Sequence, residues 1–173
     1  GDYNDDGRDD IYLANITGPN RLFRNLGSGV YQSVEESAGA VEIGNDASTD
    51  VDWITLPQDD LPSIFVADYD GNNHLYRNQG DGTFVDQAQT FSLQDPGQTT
   101  VSAWGEDFID GAPALFLGRW DQENLLYIPL MDDSGAVTDF ENAAYILGIN
   151  DTGTTIDAEW LDYDNDGDLD LLV

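Results

Sequence analysis

A chain of 173 residues with 40% hydrophobic residues is long enough to bury a sizeable core and too apolar to be a disordered tail. Its 35 Asp and Glu stand against five basic residues, all arginine, for a net charge of −30, which repels nucleic-acid phosphates and anionic membranes and makes cations the natural partners. Cysteine is absent, which removes disulfides, thiolate metal sites and cysteine nucleophiles, and no apolar run approaches the roughly 18 residues of a membrane span.

The chain opens on an acidic loop, Asp2-Tyr3-Asn4-Asp5-Asp6-Gly7-Arg8-Asp9-Asp10, followed by a short apolar run from Ile11 to Ala14. Asn20-Arg21-Leu22-Phe23-Arg24-Asn25 then returns as Asn73-His74-Leu75-Tyr76-Arg77-Asn78 and, more loosely, as Asn124-Leu125-Leu126-Tyr127-Ile128-Pro129, at offsets of 53 and 51 residues. Gly27-Ser28-Gly29-Val30-Tyr31 is matched by Gly80-Asp81-Gly82-Thr83-Phe84, and Trp53, Trp104 and Trp160 recur at offsets of 51 and 56. An insertion near Met131 to Val137 accounts for the longer last interval. These markers divide the chain into repeat units at 1–47, 48–97, 98–152 and 153–173, the first and last incomplete.

The apolar runs are short, rich in Val, Ile, Leu, Phe and Tyr, and bounded by Gly, Asn, Asp and Pro, which reads as strands rather than helices. The second unit is expected to place strands near Ser48 to Ile54, Ser63 to Ala67, His74 to Asn78 and Thr83 to Asp86. The third places them near Thr99 to Gly105, Ala114 to Gly118, Leu125 to Pro129 and Val137 to Phe140. The fold class is therefore all-β, with four antiparallel strands per unit. Four-stranded units at this period are expected to be β-propeller blades, about three plus the start of another; a sandwich would not repeat its own sequence.

The last unit carries a second acidic loop, Asp162-Tyr163-Asp164-Asn165-Asp166-Gly167-Asp168-Leu169-Asp170, and the two share the pattern D-x-[DN]-x-D-G-x-x-D. Calcium takes six to eight hard oxygen ligands at about 2.3–2.6 Å, and alternating acidic positions let a tight loop aim several at one centre. An Asp- and Gly-rich hairpin turn is the plainer alternative. An EF-hand loop needs Glu at position 12, where Leu13 and Val173 stand here.

With the closing carboxylate at position 9, directly before a strand, these loops resemble those of FG-GAP repeats in integrin α-subunit propellers and of bacterial VCBS-type repeats. The Asn20 to Gly39 segment, with its L-F-R-N-x-G-x-G core, is similar to repeats of the cartilage acidic (ASPIC/UnbV-associated) protein family. The resemblance implies about two Ca2+ sites. One would use side chains of Asp2, Asn4, Asp6 and Asp10 with the carbonyl of Arg8, the other Asp162, Asp164, Asp166 and Asp170 with the carbonyl of Asp168. The middle units depart from the pattern, with Thr55, Pro57, Asp59 and Ser63 in one and Glu106, Phe108, Asp110 and Ala114 in the other, and no metal is expected there.

The three tryptophans are expected to pack between units, His74 to be a solvent-facing turn residue, Arg24 and Arg77 to pair between blades, and Asp68 to Asn73 to form a turn. No nucleophile or base constellation stands out, so an enzyme is not expected. The function expected is a calcium-binding, extracellular or periplasmic propeller for adhesion or for surface or fibre assembly, with a protein or glycan ligand. A carbohydrate-binding propeller, or a non-catalytic part of a secreted polysaccharide-active enzyme, is the alternative. A ring of whole blades would need a larger chain or other subunits to complete it.

Overall fold

The computed structural model describes residues 1–40 and 47–173, with the backbone alone of Asp107; 41–46, at the end of the first repeat unit, lie outside the described residues. The protein is all-β, in antiparallel sheets. The first sheet holds β1 (Ile11–Leu13), β2 (Arg21–Gly27) and β3 (Val30–Ser33). The second holds β4 (Ser48–Ile54), β5 (Ser63–Asp68), β6 (His74–Asn78) and β7 (Phe84–Asp86), in that spatial order. The third repeats this order with β8 (Thr99–Ile109), β9 (Ala112–Arg119), β10 (Leu125–Met131) and β11 (Val137–Asn142), and β12 (Glu159–Leu161) pairs with β13 (Asp170–Leu172).

Because side chains alternate across a strand, a strand sandwiched between two sheets must be apolar on both faces. β5 is buried throughout, and its residues divide by parity. Ile64 and Val66 join Tyr3, Tyr12 and Leu22 of the first unit in one core, while Phe65 and Ala67 join Leu115, Leu117 and Phe140 of the third unit in another. β9 divides the same way: Leu115 and Leu117 face the second sheet, and Ala114 and Phe116 face a third core shared with Trp160 and Leu171. Each core thus lies between successive sheets, not within one.

The tryptophans fill these interfaces, as their spacing predicts. Trp104 meets Phe65 of the preceding sheet edge-on at 5.5 Å between ring centroids. Trp160 lies on Gly105, where an added Cβ would come within 2.8 Å of the indole, and Trp53 lies likewise on Gly1, at 2.9 Å. Gly1 and Gly105 occupy the same place in the repeat.

Successive sheets are tied by the same polar contacts. Buried Asn20 accepts the Asn15 N–H at 2.8 Å and donates to Ser48 of the next sheet at 2.8 Å; buried Asn124 accepts the Arg119 N–H at 3.1 Å and donates to Thr155 at 2.9 Å. The Thr49 hydroxyl donates to the Thr99 carbonyl at 2.9 Å, and its repeat equivalent Thr100 donates to the Thr155 carbonyl.

Two single-turn helices, α1 (Glu35–Ala38) and α2 (Ala144–Leu147), correct the expectation of strands and turns alone. Each follows the last strand of its sheet, and the second unit has the same turn, with the Phe91 N–H on the Gln87 carbonyl and Leu93 on Ala88. The corresponding bonds are Ala38 to Val34 and Ala40 to Glu35 in the first unit, and Leu147 to Ala143 and Ile149 to Ala144 in the third. A one-turn helix buries too few residues to leave a 3.6-residue period in the sequence.

Candidate metal centres

The two acidic loops adopt one conformation. Asp2 accepts the N–H groups of Asp6 (3.2 Å) and Gly7 (2.7 Å), and Asp162 accepts those of Asp166 and Gly167, both at 3.1 Å. Asp5 and Asn165, at φ 55° and 58°, and Gly7 and Gly167, at 78° and 96°, turn the chain through the left-handed region, which Asn, Asp and Gly tolerate best. Each closing aspartate returns to the loop's start: Asp10 accepts the Tyr3 N–H at 3.3 Å and Asp170 the Tyr163 N–H at 3.0 Å.

In the second loop the carboxylates of Asp162, Asp164 and Asp166 each offer an oxygen within 4.8 Å of the others, and all three residues are exposed. The N–H groups of Asp166 and Asp168 donate to Asp164 and Asp166 at 3.2 and 3.0 Å, which pins the side chains without neutralising them. Three like charges at this separation repel, and a hard divalent cation would relieve the repulsion. This donor set fits calcium.

The first loop holds its donors differently. Asn4 donates its amide N–H to Asp10 at 2.9 Å, leaving its carbonyl oxygen 3.5 Å from the Arg24 guanidinium. Asp6 Oδ2 accepts from Arg8 at 2.7 Å and from Arg24 at 3.2 Å, whereas Asp6 Oδ1 is buried without a hydrogen bond. Arg8 also donates to the Asn25 carbonyl at 2.9 Å, fixing the residue whose own carbonyl is the expected ligand. Burial pushes the Asp10 carboxyl up, with Asp6 and Asp2 adding to the effect against the donors Asn25 and Tyr3. Against a burial effect that raises it, the N–H groups of Gly7 and Asp6 hold Asp2 below the usual carboxylate range. The Asp6 oxygen without a hydrogen bond, in a loop of the same conformation as the second, is a donor of the kind calcium takes, so this loop also suits calcium.

The middle units close their loops by other means. Arg77 binds Asp59 through two nitrogens, at 2.9 and 2.6 Å. In the third unit β8 and β9 run into a tight hairpin, with Ile109 opposite Ala112 and Asp110 and Gly111 at φ 50° and 82°, both positive as a two-residue hairpin turn requires. β8 therefore extends four residues past its predicted end at Gly105; the Asp-Gly pair was the signal for it.

Two expectations are corrected. Arg24 and Arg77 pair with the acidic loop of their own unit, not with a neighbouring blade. His74 is not a solvent-facing turn residue: it starts β6, its Nδ1 lies 2.7 Å from Asp86, and its ring stacks on Tyr76 at 5.4 Å. Asp68 to Asn73 forms the β5–β6 turn, in which Asn73 accepts the Asp68 N–H at 2.9 Å.

Fold and loops together describe an all-β repeat chain with paired acidic loops. No protein-family model matches it. Over 95% of its length it is 29% identical to cartilage acidic protein 1 of Mus musculus, across 176 aligned residues, and likewise to cartilage acidic protein 1 of Homo sapiens, across 178. The chain spans about a quarter of the length of these curated relatives, 27% and 26%.

Proposed function

We propose that the chain is a calcium-binding segment of a non-catalytic β-propeller that works outside the cell, in adhesion or in surface or fibre assembly. The observation that carries the calcium reading is the pair of loops of one conformation, one of which gathers three carboxylates within 4.8 Å. Asp162, Asp164, Asp166 and Asp170, with the Asp168 carbonyl, would hold one ion, and Asp2, Asn4, Asp6 and Asp10, with the Arg8 carbonyl, the other. Calcium would supply the charge that lets these carboxylates sit together, so its binding free energy becomes folding free energy.

The propeller reading is supported by sheets that meet face to face through a repeated contact. A contact that passes from one unit to the next in a single sense is heterologous, and such contacts generate rings when the rotation closes. The extracellular reading is supported by the affinity expected of an exposed loop such as 162–170, which suits millimolar calcium, and by relatives whose name places them in cartilage.

A glycan-binding reading would need exposed aromatics on one surface. Tyr31, Trp120, Tyr145 and Tyr163 are exposed, but they are scattered over β3, the β9–β10 turn, α2 and the β12–β13 loop, each in a different element. The test of the proposal is thermal unfolding with millimolar calcium and with chelator. Occupancy at about 100 times Kd stabilises by roughly 2.7 kcal/mol per site, which for a chain of this size is about 5–10 °C for one ion. Equal midpoints in calcium and in chelator would contradict it.

A further inference from the structure

Resting on the calcium reading above, we propose that Arg24 is a built-in competitor for the cation of the first acidic loop: its guanidinium closes the loop when metal is scarce and yields the Asp6 carboxylate when metal binds. The Arg24 guanidinium stands 3.2 Å from Asp6 Oδ2 and 3.5 Å from Asn4 Oδ1, two of the oxygens the ion would take. Arg24 Nε is buried without a hydrogen bond, so the fork is only partly engaged, as is Asp6 itself.

The repeat supplies an independent comparison. Arg77 stands where Arg24 does, and Asp59 where Asp6 does, but the other ligand positions of that loop are Thr55, Pro57 and Ser63. There the guanidinium takes both carboxylate oxygens of Asp59, at 2.6 and 2.9 Å. In the third unit the strand position is Ile128, and Phe108, at the Asn4 position, shares an apolar cluster with it. The strand residue therefore changes with the loop it faces: a full ion pair where no ligand set exists, a partial one where it does, and an apolar contact where the loop is apolar. The full pair of Arg77 is a permanent substitute for the ion, and the partial pair of Arg24 an exchangeable one. Arg8, the other cation on Asp6 at 2.7 Å, is also held by the Asn25 carbonyl and lies within the loop; Leu61 and Ala112 take its place in the second and third units, so Asp6 has two guanidinium partners where Asp59 has Arg77.

Calorimetric titration with calcium alone tests this, on the chain carrying Asp164→Asn and Asp166→Asn so that only the first loop is read. Arg24→Met should tighten calcium binding on the order of thirtyfold, the effect of removing one charge about 4 Å from a divalent ion in water. Arg24→Gln, which keeps a donor for Asp6 but no charge, should do the same and guards against a folding failure of the first variant. Arg77→Met should leave the affinity unchanged. Arg24→Met should also lower the unfolding midpoint in chelator but not in saturating calcium, whereas Arg77→Met should lower both alike. Unchanged or weaker binding in both Arg24 variants would overturn the proposal while leaving the calcium reading intact. No calcium binding in any of these variants or in the chain with both loops intact would overturn both.

Discussion

Asp10, Ser63 and Ala114 occupy one position of the repeat, and what each faces follows its chemistry. Asp10 accepts the Asn25 N–H at 2.7 Å and Ser63 the Asn78 N–H at 3.1 Å, while in the unit of Ala114, which has no acceptor, the donor's place in the repeat is taken by Pro129, which has no N–H. The acceptor and the donor disappear together, as the cost of an unpaired buried N–H requires. Asp10→Ser should therefore fold, reproducing the contact of the second unit, while losing one bound calcium. Asp10→Ala should lose the ion and a further 1–3 kcal/mol, about the penalty of a stranded donor, measurable by denaturant unfolding in chelator.

Asp52 on β4 makes a separate prediction. Burial pushes its carboxyl up to about 6, with the Ser102 hydrogen bond opposing and Asp50 adding to it. A carboxyl raised above its unfolded value binds its proton more tightly in the native state, so stability is greatest below the unfolded pKa of about 3.9 and falls as pH rises toward 6. Asp52→Asn should flatten this slope, adding about 3 kcal/mol to the unfolding free energy at pH 7.5 and little at pH 4. A variant with the parent's pH dependence would contradict it. None of this was legible in the sequence: Asp50 and Asp52 read as two more acidic residues of an acidic chain, and only the fold buries the Asp52 carboxyl, beside Asp50 and against Ser102 of β8.

At the scale of elements, what repeats was legible and what does not repeat was not. β4 and β6 take the predicted bounds, because repeat markers, Trp53 in one and the Asn73 to Asn78 segment in the other, fix their place along the chain. β8 outran its prediction because the hairpin at Asp110 and Gly111 was read through the acidic-loop pattern of its neighbours. The direction of the arginine pairs was hidden for a different reason: a repeat places Arg24 beside an acidic loop but does not say whether the loop is its own or the next. The glycines under the tryptophans make the interface between elements testable. Gly105→Val would drive atoms into the Trp160 ring, which an added Cβ already approaches to 2.8 Å, and should cost about 1–3 kcal/mol, the usual penalty for overpacking. A stability equal to the parent's would show that β12 does not hold that position.

For the whole molecule, each sheet depends on its neighbours, because every core is shared. Leu22, Ile64 and Val66 have no partner cluster within their own sheets comparable to the one they form together, and the last core is completed by Trp160 and Leu171 of the short β12–β13 pair. Cation binding at 2–10 and 162–170 would therefore act on the units at the two ends of the described stack, where the sheets have three strands and two. The all-β class and the repeat were legible because three sets of markers recur in register along the chain. The relation between sheets was not, since the buried asparagines and inner-strand threonines that join them look in the sequence like ordinary turn and strand residues.

The central claim, that the two loops are cation clips, is tested most directly by counting calcium ions bound per chain in equilibrium dialysis, for the parent chain and for Asp164→Asn. Two ions in the parent and one in the variant are predicted. A folded parent chain that binds none, or a variant that loses none, would contradict the assignment.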